Sequence, residues 1–155
     1  MNEIEWKSCT NPAVMLEFSG SRMADRQLKK FSVACYHQIE QYLTEEAKQV
    51  VAAVEAEVKG NPDPAAFVSA CTALEFEVFD SSSSTLGGII NNYVLVLTEP
   101  PALEGAQSAV NAVKRVSEWT DGTASEKAAA QSIALALLAS KLRDTVGDLP
   151  QPLIA

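Results

Sequence analysis

The sequence predicts an all-α fold, a compact bundle of about six to seven helices. Three observations carry that expectation. Apolar residues recur at steps of three and four in one segment after another, the period of one helix face. Capping residues, followed by proline or by a glutamate three positions on, stand where those segments begin. The one stretch with strand character, YVLVLT within residues 86–98, has no second strand to pair with, and a lone strand is not stable.

The best defined stripe lies in Ala24 to Leu43, where Leu28, Phe31, Cys35, Ile39 and Tyr42 share one face. Before it, residues 3 to 9 form a short helix carrying Trp6. Thr10-Asn11-Pro12 is a stop and a restart, with proline at the first helical position. Val14, Met15, Leu16 and Phe18 make the next turns apolar, and Gly20 ends them in a left-handed cap. Thr44 caps a helix over 45–59 with Val50, Val51, Val54 and Val58 as its stripe. Gly60-Asn61-Pro62 ends it, and Asp63-Pro64 starts the next. There Phe67, Cys71, Leu74 and Val78 lie on one face, with Phe76 and Phe79 close by.

Ser81 to Ser84 is a loop within the domain, because too little chain follows for an independent core. Segment 86–98 is assigned as helix on its stripe of Leu86, Ile89, Ile90, Tyr93, Val94 and Leu97, with an extended conformation as the alternative. After Glu99-Pro100-Pro101 comes a helix to about Trp119, with Leu103, Ala106, Val110, Val113 and Val116 inward. Thr123 and Glu126 form a capping box. The last helix follows to about Val146, its stripe being Ile133, Leu137, Leu138 and Leu142, with Gly147 as its cap. The whole, 1–155, reads as a single helical domain with an extended tail over 148–155.

A chain of 155 residues buries about 68–70% of its unfolded surface, enough for one core without metal or disulfides. The net charge is −8. An acidic surface repels phosphate backbones and anionic lipids, so neither nucleic acid nor membrane is expected as a partner. Cys9, Cys35 and Cys71 are odd in number and widely spaced, which fits a reduced, cytoplasmic compartment. The N-terminus lacks the apolar core of a signal peptide, and the run Tyr93 to Leu97 is far too short to span a bilayer.

The charge is segregated. Arg22, Arg26, Lys29 and Lys30 crowd the start of the Ala24–Leu43 helix, where cations oppose the macrodipole. Residues 44 to 80 carry eight acids against two lysines, a local charge of −6. The two regions are expected to face each other or share a surface. The four cations are the candidate interaction patch.

Two stretches together resemble a family of short helical proteins and domains found in many copies in planctomycete-type bacteria. The matching residues are Trp6, Cys9-Thr10-Asn11-Pro12, Met15-Leu16-Glu17-Phe18, Asp25-Arg26-Gln27-Leu28 and Phe31 to Cys35, then Leu142-Arg143-Asp144, Gly147 and Pro150. Departures from the family pattern are Asn11 in place of aspartate, Tyr36 in place of a second cysteine, and the chain after Gly147. The resemblance implies a small helical domain and no particular activity. Its charged residues suggest a structural pairing across the domain: Asp25 and Arg26 with Arg143 and Asp144.

Candidate chemistry is sparse. His37 is the only histidine, and at two residues from Cys35 it points to a different side of the helix, so these two build no nucleophile pair. Cys9, Cys35, Cys71 and His37 lack the close ligand spacing of a structural zinc site. Glu55 with Glu57, and Glu75 with Glu77, diverge by about 200° at their spacing. Gly87-Gly88 has no phosphate-loop lysine after it. Trp6 and Trp119 read as core anchors or caps. No catalytic, cofactor or metal residue is assigned. The first reading is a non-catalytic protein-interaction module or accessory subunit of a bacterial system, with an unidentified protein partner and a homo-oligomer left open. The alternative is a small-molecule or lipid-binding bundle, its cavity lined by Phe67, Phe76, Phe79 and the Ile89-to-Leu97 stretch. An enzyme built on distant carboxylates ranks third.

Overall fold

A computed structural model of the chain describes residues 1–80 and 85–147; the Ser81–Ser84 loop and the 148–155 tail lie outside them. The described residues form eight α-helices and no strand: α1 Glu3–Ser8, α2 Pro12–Ser19, α3 Asp25–Gln38, α4 Glu45–Val58, α5 Pro64–Asp80, α6 Leu86–Leu97, α7 Ala102–Trp119 and α8 Ala124–Val146. Short 3-10 turns at Gly20–Arg22 and Glu40–Tyr42 bracket α3. The all-α expectation holds, and segment 86–98 is helical.

The start signals act as the sequence implies. The Asn11 side chain accepts from Ala13 N with Pro12 at the first helical position. Thr44 Oγ1 accepts from Ala47 N, and Asp63 Oδ1 from Ala66 N. Thr123 and Glu126 close their capping box at 3.2 and 3.0 Å. Each satisfies amide donors that a helix N-terminus leaves unpaired.

Gly20 departs from expectation. It is right-handed, at φ −59° and ψ −39°, and the chain runs on into a 3-10 turn. Its lack of a side chain serves packing instead, since a Cβ there would lie 2.4 Å from Leu103 Cδ1. The Ala24–Leu43 stripe is also not one helix. α3 ends at Gln38, and tighter 3-10 winding over Glu40–Tyr42 keeps both Ile39 and Leu43 buried as the chain turns toward the Thr44 cap.

One core joins the helices. Phe31, Cys35 and Tyr36 of α3 are fully buried, as are Ile90 and Val94 of α6 and Leu138 and Leu142 of α8. α3 does not organise this core alone. α7 packs against α2, α3, α6 and α8, through a face of Ala102, Gly105, Ala106, Ala109, Ala112 and Val113. Small residues let neighbouring backbones approach; a Cβ on Gly105 would sit 3.3 Å from Leu97 Cα. Several sequence-assigned core residues are outside: Val14 and Trp119 are exposed, and so are Ile133 and Leu137 in the first part of α8. Ile133 and Leu137 lie on the outer face of α8, whose inner face packs Ala134 and Leu135 against the core beside the buried Leu138, Ala139 and Leu142.

Candidate functional site

The basic patch is largely engaged within the molecule. Arg26 Nε donates to Val58 O at 2.8 Å, placing a cation at the C-terminal, negative end of α4. Lys29 Nζ pairs with Glu57 at 2.8 Å. The Arg22 guanidinium stands 5.6 Å over the Phe18 ring, a cation–π contact. Lys30 is exposed. The start of α3 and the end of α4 thus share a surface, as their opposite charges predict. The unfavourable cations at one helix N-terminus are offset by the C-terminus of its neighbour.

The pairing expected of Asp25 and Arg26 with Arg143 and Asp144 is absent among the described residues. Arg143 instead donates through Nη1 to Cys9 O at 2.7 Å and to Trp6 O at 3.3 Å. The last carbonyls of a helix have no partner of their own, and a guanidinium in reach of two of them has no need of Asp25. Arg26 is committed to α4.

His37, half-exposed, bridges α3 and α4 through Glu55 Oε2 at 3.1 Å. Glu55 also holds Lys59 at 3.0 Å. The Lys59 hydrogen bond, and then His37, keep the Glu55 carboxyl below its ordinary range despite the opposing effect of burial. Glu55 and Glu57 pair separately, as their divergence requires. Cys35 is sealed in the core, where burial pushes its thiol far above the usual value. The Tyr36 hydroxyl beside it is raised too, by burial first. Cys71 is half-buried, its thiol raised by burial and by Glu75. No group of three or more His, Cys, Asp or Glu able to hold a metal occurs among the described residues.

The phenylalanine-lined cavity does not form. Phe76 is 71% and Phe79 91% exposed, and of the three rings only Phe67 turns inward. It lines a cleft of about 340 Å³ between α4 and α5, with Ala53, Glu57, Pro62, Asp63 and Pro64. Most of this rim is exposed.

What stands out is α5. Across its 17 residues only Ala70 and Leu74 are buried. Val68, Thr72, Glu75, Phe76 and Phe79 are all exposed on one face, so the apolar Val68, Phe76 and Phe79 face outward with Thr72 and Glu75 among them. Solvent-facing helix surfaces are normally polar. Sequence reasoning set Phe76 and Phe79 next to the core. The available signal was that apolar residues spread around more of α5 than one packing face can cover.

Comparison of the chain with family models, with curated proteins and with solved structures finds no match.

Proposed function

We propose that the chain is a non-catalytic protein-interaction module, an adaptor or accessory subunit of a bacterial system, working in the cytoplasm. The observation that supports this reading is the outward stripe of α5, with Val68, Phe76 and Phe79 at 62, 71 and 91% exposure. Large apolar side chains grouped on one exposed helix face are a mark of a contact surface. No helix among the described residues is long and apolar enough to cross a membrane. The interaction surface moves from the α3 cations, three of which have intramolecular partners, to α5.

The resemblance to the planctomycete-type family is also proposed. It is supported by Arg143, which links the two resembling stretches through Trp6 and Cys9. The cleft beside Phe67 favours a second reading, a small-molecule site, since its volume falls within the range of ligand pockets.

A photo-crosslinking residue at position 79, compared with one at position 30, tests the first reading in the source cells. A defined heavier species captured from 79 and not from 30 supports it. Equal labelling from both, with the chain running as a monomer throughout, sinks it.

A further inference from the structure

We infer that the outward face of α5 docks a cationic amphipathic helix of a partner protein, Phe76 and Phe79 supplying the apolar seam and the α5 carboxylates selecting the partner's charge. This rests on the interaction reading above and adds the chemistry of the partner.

The geometry is that of one helix presented to another. Val68, Phe76 and Phe79 stand at i, i+8 and i+11 on one outward face, with Thr72 and Glu75 between them, and cover about 16 Å at 1.5 Å per residue. The two rings nearest the α5 C-terminus are the most exposed and offer the large apolar anchors on which interfaces concentrate their energy.

Charge decides the occupant. α5 contains Glu75, Glu77 and Asp80 and no lysine or arginine. None of the three acids has a salt-bridge partner among the described residues, whereas Glu45, Glu55 and Glu57 of α4 each have one. Of the three, Glu77 lies on the other side of the helix, while the exposed Glu75 and Asp80 flank Phe76 and Phe79, so unneutralised negative charge stands beside the rings. The negative end of the α5 dipole lies beside Phe76 and Phe79 and adds to it. A partner that buries the rings must bring cations to the rim.

A second copy fits less well. A two-fold pairing of α5 with itself sets acids against acids. A pairing with the exposed Ile133 and Leu137 of α8 in another copy brings no cation to the α5 carboxylates, since residues 128–140 contain no lysine or arginine. An anionic membrane is repelled by the same carboxylates.

The test uses the full chain and two synthetic 18-residue helical peptides, one of leucine and lysine and one of leucine and glutamate with the same apolar face. Fluorescence anisotropy is expected to show binding of the lysine peptide, weakening as salt is raised, and none of the glutamate peptide. The double variant Phe76→Ser/Phe79→Ser should lose at least tenfold in affinity with an unchanged helical circular dichroism spectrum, because both side chains are exposed. Glu75→Lys/Asp80→Lys should lose a similar factor and flatten the salt dependence. Equal binding of both peptides, or lysine-peptide binding indifferent to the serine pair, overturns the inference. So does a dimer in sedimentation equilibrium that the serine pair dissociates, although that outcome leaves the interaction reading standing. Serine-sensitive binding to phosphatidylcholine vesicles without peptide binding overturns both.

Discussion

Arg143 Nη1 donates to the main-chain oxygen of Cys9 at 2.7 Å, across 134 residues of sequence. With its 3.3 Å bond to Trp6 O, this one side chain ties the last helix to the end of the first. Trp6 is buried against the core and sits 6.4 Å from the Phe18 ring, so α1 is held by an aromatic anchor and a guanidinium.

Arg143→Ala should therefore destabilise the fold by about 1–2 kcal/mol in urea denaturation, the net worth of charged hydrogen bonds that are part-buried. Arg143→Lys should recover only part, since the lysine side chain is one atom shorter and its nitrogen falls short of the position of Nη1. Asp25→Asn should change stability by less than about 0.5 kcal/mol, as expected of an exposed side chain without an ion-pair partner among the described residues. If the asparagine variant were as damaging as the alanine one, the carbonyl-clamp account would be wrong.

Gly105→Ala provides a packing test. In an exposed helix the change gains up to about 1 kcal/mol of propensity. Here the new Cβ meets backbone, Leu97 Cα at 3.3 Å and Val96 O at 3.4 Å, and backbone cannot swing aside. Overpacking of that kind costs about 1–3 kcal/mol, so the variant should be less stable than wild type, by about 1 kcal/mol. A rise in melting temperature would mean that α6 and α7 have slack between them.

Acid titration should isolate Glu55. Its folded pKa is depressed, below the ordinary 4.5, by Lys59 and then His37. A depressed carboxyl gives stability above its unfolded value and loses it as pH falls through the folded value. The stability difference between wild type and Glu55→Gln should thus be present at pH 7 and shrink toward zero as the pH drops below 4.5. A difference that persists at pH 3 would trace the effect to packing and not to charge.

Thiol labelling should separate the cysteines. Cys35 is fully buried with its thiol pushed far up, while Cys9 and Cys71 are half-buried. A disulfide reagent at pH 8 should modify Cys9 and Cys71 in the folded protein, and Cys35 only with global unfolding. Rapid labelling of all three in buffer would show that α3 opens locally.

Much of this fold is legible in the residues alone. Caps at Asn11, Thr44, Asp63 and Thr123 are local chemistry between neighbours in the chain, so the sequence carries them whatever the packing. The stripes of α3, α4 and α7 are visible because each helix buries one face, and periodicity reports that directly. The helical state of 86–97 could be argued from the missing strand partner. The attraction between the α3 cations and the α4 acids could be argued from sign.

Contacts between distant segments could not. Arg143 was readable as a charge seeking an opposite charge; only the packed molecule brings it to two carbonyls, which every residue carries and no sequence pattern marks. Gly20 resembles a helix cap until Leu103 is laid against it. Phe76 and Phe79, or Ile133 and Leu137, belong to apolar helices, yet how many faces of a helix are covered depends on where its neighbours end. Which segments are helical, and which face each buries first, follows from residues three or four apart and is therefore written locally in the chain. Tertiary structure decided which apolar residues were left over in water, and on α5 that remainder is the surface on which the proposed function rests.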